Sequence, residues 1–115
     1  MAKYEHKLQG NFDELLASID SGIIKGSVSA SFEDGSDYSS GNTRCAVRVY
    51  ERYSWFGGNR VSLNITLVGN GSDLFISAIT SGGSQAMFFK FNTVGESNFL
   101  QRAIDIIESY RSRGG

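Results

Sequence analysis

A chain of 115 residues with a net charge of −1 has room for one domain with a modest core, and it lacks the basic excess that steers a protein onto a polyanion. Its single cysteine, Cys45, excludes an intrachain disulfide and every cysteine-based metal set. No stretch approaches the ~20 apolar residues of a spanning helix, and the first residues carry no apolar run of a signal peptide, so residues 1–115 are expected to form one soluble, cytoplasmic domain.

Residues Lys3 to Gln9 alternate, with Tyr4, His6 and Leu8 on one face and Lys3, Glu5 and Lys7 on the other. That period of two predicts a first strand at or near a sheet edge, ended by Gly10. Asn11 is a good helix N-cap, and Glu14 three residues on completes a capping-box pattern. Phe12, Leu15, Leu16, Ile19 and Ile23 fall on one helical stripe, so a helix is expected to run to about Ser21 or Ile24. Gly22 and Gly26 compete as its terminator.

A second strand carries Val28, Ala30 and Phe32 against Ser27, Ser29 and Ser31. The Asp/Ser/Gly-rich run Glu33 to Asn42 is either a loop or the tip of a long hairpin turning at Gly41-Asn42. A long third strand spans about Arg44 to Phe56. Cys45, Val47 and Val49 are expected on its apolar face, and Arg44, Arg48 and Arg52 on the other. The alternation slips at Tyr50-Glu51, where a bulge would reconcile the two halves.

The clearest strand is Val61 to Val68: Val61, Leu63, Ile65 and Leu67 alternate with Ser62, Asn64 and Thr66. One branched apolar face and one small polar face suit an antiparallel sheet packed on one side. Asn70-Gly71 predicts a two-residue hairpin turn. A fifth strand, Asp73 to Thr80, is apolar on both faces. Gln85 to Asn92 alternates as a sixth. A closing helix from about Glu96 to Arg111 buries Leu100, Ala103, Ile104, Ile107 and Tyr110, widened by Phe99 and Ile106. Glycine is abundant and proline absent; the glycines fall at turns, as in an ordered β-rich chain.

These elements predict an α+β fold: a single curved antiparallel sheet of about six strands with two helices on one face, in the order β-α-β-β-β-β-β-α. The order resembles the helix-grip and TATA-binding-protein-like folds, in which a bent sheet wraps a long C-terminal helix. The run Arg44-Cys-Ala-Val-Arg-Val-Tyr-Glu-Arg-Tyr-Ser54, with Gly58-Asn-Arg-Val-Ser-Leu-Asn64 and Ser77-Ala-Ile-Thr-Ser-Gly-Gly-Ser-Gln85, resembles a family of short uncharacterised bacterial proteins known only as a domain of unknown function. That resemblance covers nearly the whole chain. It implies no activity, cofactor or catalytic residue.

No motif identifies a chemistry. Cys45 and His6 both fall on apolar strand faces, where a Cys–His nucleophile is conceivable but a buried free thiol packs as a small hydrophobe. Gly69-Asn70-Gly71 precedes a strand and not a helix, so it is a hairpin and not a phosphate loop. Glu33, Asp34 and Asp37 lack the spacing of a calcium loop. No catalytic residue, metal site or cofactor is assigned.

The sheet's second face carries the functional expectation. It is read as Arg44, Arg48, Tyr50 and Arg52 from one strand, Asn64 from the next, Phe75 and Ile79 beyond, and Phe88 from the sixth. Guanidinium groups grip carboxylate or phosphate, and aromatic rings stack. The favoured function is a non-catalytic module that binds a small ligand or a protein, on this face or in a sheet–helix pocket. A homodimer through the face or an edge strand is its simplest partner. Single-stranded nucleic acid on the same Arg/Tyr face is the alternative, weakened by the balanced charge. A small enzyme, with Glu51 as a displaced carboxylate, is the third.

Overall fold

The computed structural model describes residues 2–26, 29–53, 60–82 and 89–113, with side chains in the last stretch from residue 99 onward. Five strands and two helices follow in the order β1 (Ala2–Gln9), α1 (Phe12–Lys25), β2 (Ser31–Ser40), β3 (Thr43–Tyr53), β4 (Arg60–Asn70), β5 (Asp73–Gly82) and α2 (Phe89–Ser112). All strand pairs are antiparallel, and the sheet order is β1-β5-β4-β3-β2. The α+β class with both helices on one side of one open sheet is as expected; the described residues form five strands where about six were expected.

Among the described residues, neither side of β5 is open to a sixth strand. β5 is flanked by β4 and by β1, which returns from the start of the chain. The position beside β5 that a following hairpin strand would take is therefore filled. Residues 89–92, expected at the end of that strand, are the first turn of α2. A short apolar run has no period of its own strong enough to choose between strand and helix. Phe88 and the rest of 83–88 lie outside the described residues.

The core is the face of the sheet beneath the helices. Val61, Leu63, Ile65 and Leu67 of β4 are buried, with Leu74, Ile76 and Ala78 of β5 beside them. Phe12, Leu15, Ile19 and Ile23 of α1 and Phe99, Leu100, Ala103, Ile107 and Tyr110 of α2 close over them. Both predicted stripes therefore face the core. Asn11 caps α1, its side chain accepting from the Glu14 N–H at 2.9 Å. The Tyr110 hydroxyl accepts from the Asn11 N–H at 2.8 Å, which locks the start of α1 to the end of α2.

Gly26, not Gly22, ends α1. Gly22 lies at the helix crossing: a Cβ there would meet Ile106 Cδ1 at 2.6 Å, so the Ile106 side chain fills the space that the glycine leaves. Arg102 fixes the same crossing by donating from Nε and Nη2 to the Gly22 carbonyl.

Both tight hairpins are present. Gly41-Asn42 joins β2 to β3, so the run from Glu33 is strand and not loop. Gly71-Ser72 joins β4 to β5, one residue later than Asn70-Gly71, because Asn70 pairs with Asp73 and Gly71 takes the positive φ of +61° at the first loop position. The bulge is real but displaced. β3 runs in unbroken register along β4, and the irregularity lies opposite Tyr50 and Val49, on β2 between Phe32 and Asp34.

One polar bond ties β1 to α2. The half-buried Tyr4 hydroxyl donates to Glu108 Oε2 at 2.6 Å. Burial first, then this bond to a carboxylate, pushes the Tyr4 phenol from 10.0 up to about 12. The same bond holds the Glu108 carboxyl below its ordinary range. The folded chain thus keeps a proton that the unfolded chain sheds near pH 10. Tyr4's contribution is complete below about pH 10 and is lost as pH rises towards 12. Tyr4→Phe is expected to remove that part of the alkaline loss of stability, and to remove one late step from the ultraviolet phenolate titration.

Candidate functional site

The register decides which side chains share a face. Arg48 pairs with Ile65, Tyr50 with Leu63 and Arg52 with Val61, so these β3 residues lie on the helix side. Arg44 pairs with Gly69 on the same side. The expectation that Arg44, Arg48, Tyr50 and Arg52 share a face with Asn64, Phe75 and Ile79 is therefore corrected: the two sets lie on opposite sides of the sheet.

The helix-side set is engaged with its own chain. Arg44 grips Asp13 through two hydrogen bonds of 2.9 and 3.0 Å, and its guanidinium lies 4.2 Å above the Phe12 ring. That pairing holds the Asp13 carboxyl below its ordinary range. Arg48 pairs with Asp37 at 3.1 Å. The buried Tyr50 hydroxyl donates to Asp20 of α1, and burial raises its phenol far above the ordinary value. Arg52 lies 4.8 Å over the Phe99 ring, and burial lowers its guanidinium. Arginine stems can line a core edge when their heads find anions or rings. Arg44, Tyr50 and Arg52 strap β3 to the helices, and Arg48 ties it to β2.

Neither described helix lies on the opposite face. Beyond a polar row of Gln9, Asp73, Asn70, Thr43 and Ser40 at the hairpin end, three consecutive rows across all five strands carry its apolar residues. The first is Lys7, Phe75, Val68, Cys45 and Tyr38. The second is Glu5, Ser77, Thr66, Val47 and Ser36, and the third is Lys3, Ile79, Asn64, Val49 and Asp34. Phe75, Val68, Cys45, Val47, Val49 and Ile79 are half-buried there, and Tyr38 at the rim is 68 % exposed. An apolar field thus sits inside a polar frame, with Lys3, Lys7 and Glu5 along the β1 edge and Asp34 along the β2 edge. At one corner Arg60 pairs with Glu51 at 2.7 Å. A depression of about 500 Å³ opens beside Lys7, Val68, Asp73 and Phe75.

Of the expected site residues, Asn64, Phe75 and Ile79 belong to this face. Tyr38, Cys45, Val47, Val49 and Val68 join them. Tyr38 lay in a segment equally readable as a loop, and the β3 residues were assigned inward because they are the more apolar set of their strand.

The catalytic expectations fare differently. His6 is on the helix face, its ring stacked on Tyr4 at 6.1 Å, and Cys45 is on the open face, so they do not form a pair. Glu51 does fall on the side of Cys45, Val47 and Val49, and it meets Arg60 there. Among the described residues no group of three His, Cys, Asp or Glu is placed to hold a metal ion. Among them, too, no helix is long and apolar enough to cross a membrane.

These features define a class: a small α+β domain whose five-stranded sheet is covered on one side and presents a framed apolar field on the other. The chain belongs to the DUF6054 family, a family of unknown function, which it matches over residues 1–111. No curated protein and no solved structure matches it.

Proposed function

We propose that this domain is a non-catalytic interaction module and that the open face of its sheet is the contact surface. The observation that carries the proposal is the row Phe75, Val68, Cys45 and Tyr38, apolar or aromatic across four adjacent strands on the side that neither helix covers. Val47 and Val49 continue it along β3, with Ser77, Thr66 and Asn64 between them and Ile79, and charge lies at the rim, the mixed surface pattern of a binding site. Nucleic acid is the weaker reading. The arginines meant for it lie on the other side, and this face sets Lys3, Lys7 and Arg60 against Glu5, Asp34, Glu51 and Asp73.

The test is photo-crosslinking in the cells that make the protein. A benzophenone side chain at Phe75 or Val47 is expected to give discrete protein adducts. The same group at Ala17, exposed on α1, is expected to give none. A folded protein that yields no adduct from either sheet position would overturn the proposal.

A further inference from the structure

We propose that the occupant of the open face is a second copy of this chain, packed face to face about a two-fold axis that runs close to β4. The inference rests on the open face being a contact surface, and it names the partner.

Size comes first. Five strands ~4.8 Å apart, each eight or more residues long at ~3.3 Å per residue, present roughly 600–850 Å². A standard stable interface covers about 800 Å² per partner. The face is therefore large enough for a dimer without help from loops or helices.

Charge then selects the symmetry. β4 is the central strand, with two strands on each side. A two-fold axis along β4 lays the β1 edge of one protomer over the β2 edge of its partner and keeps each row facing itself. In the row Lys3, Ile79, Asn64, Val49 and Asp34, Lys3 then faces Asp34, Ile79 faces Val49, and Asn64 meets its own copy. In the row Lys7, Phe75, Val68, Cys45 and Tyr38, the Lys7 ammonium faces the Tyr38 ring, Phe75 faces Cys45, and Val68 meets Val68. In these two rows each ammonium gains an acid or a ring and each apolar side chain gains an apolar one, while in the row between them Val47 meets Ser77, Glu5 meets Ser36 and Thr66 meets its own copy. An axis across the strands through the Glu5 row instead lays β1 on β1, sets Lys3 against Lys7 and brings Glu5 onto its own copy, like-charge pairings that cost affinity. Tilting the favoured axis by about 15° from β4 gives the ~30° crossing at which twisted sheets pack.

Sedimentation of the full chain is expected to show twice the chain mass at high micromolar concentration and dissociation on dilution. Val49→Lys is expected to leave a folded monomer. Lys3→Asp or Asp34→Lys alone is expected to weaken the dimer about 10-fold, and the two together to restore it. The axis has its own readout. In a Cys45→Ser background, Thr66→Cys is expected to link two protomers through a short bismaleimide, because Thr66 sits on the axis, whereas Glu5→Cys in the same row does not. Linkage at Glu5 and not at Thr66 would overturn the axis. A dimer indifferent to Val49→Lys would overturn the face. A monomer at every concentration would overturn the second copy, while adducts from Phe75 to other proteins would still leave the open face a contact surface.

Discussion

Ala46→Lys is expected to unfold this domain, whereas Val47→Lys, one residue along the same strand, is expected to leave it folded. Ala46 is fully buried on the helix side of β3, beside Leu67. A lysine there adds a four-carbon stem to a closed core, which costs about 1–3 kcal/mol in overpacking. Its ammonium must also lose water or give up its proton, since Asp37 opposite it on β2 is already paired with Arg48, and this adds several kcal/mol. The sum is comparable to the whole stability of a small domain, about 5–15 kcal/mol. Val47 sits on the open face, and its replacement can reach water along the sheet surface; the expected change is within about 1 kcal/mol. Circular dichroism and thermal melts of the two variants in dilute solution decide the matter. The opposite outcome, with Val47→Lys unfolded and Ala46→Lys folded, would mean that β3 presents its other side to the helices.

That pair of variants falls on the point where the sequence was most misleading. β4 could be read correctly because its two faces differ in kind: four branched residues on one side, Ser62, Asn64 and Thr66 on the other. The helices were legible for the same reason, each having one apolar stripe. β3 offers Cys45, Val47 and Val49 on one side and arginines on the other, and simple alternation turns the valines inward. The structure does the reverse. The helix side of β3 needs only Ala46 and Tyr50 to fill it, because helix cover thins towards that edge of the sheet. Asp13, Asp37 and the Phe12 and Phe99 rings receive the guanidinium groups.

Register could have settled the orientation, since a slip of one residue exchanges the two faces. A two-residue loop fixes the register of β4 against β5, and another that of β2 against β3. Residues 54–59 join the two hairpins, and a connection of that length allows either orientation. The sixth strand failed for a related reason. Nothing local in residues 85–92 reveals that β1 already occupies the vacant side of β5. Alternation places Asn64, Phe75 and Ile79 on the face away from the helices, but the rest of that face follows only from pairing all five strands.

The second large effect is expected at Phe99. Phe99→Ala should cost about 4 kcal/mol, because the ring is fully buried where α2 meets the sheet and its removal leaves a cavity that the rigid strands cannot collapse to fill. In a chain of this size that lowers the melting temperature by roughly 12–20 °C. The effect has a second component, since Arg52 lies over the same ring at 4.8 Å and burial already disfavours its charge. Truncating the ring takes away the π-face that partly compensates the guanidinium for lost water. A double-mutant cycle with Arg52→Met, which keeps most of the stem, is expected to show about 1 kcal/mol of coupling, the double variant being less destabilised than the sum of the singles. Additive effects would mean that Arg52 and Phe99 are neighbours without interaction, and that the arginine is held by its other contacts alone. Coupling of the expected size would make the arginine-lined side of β3 a structural strap, and would leave the valine-lined side as the surface of this strand that is free to meet a partner.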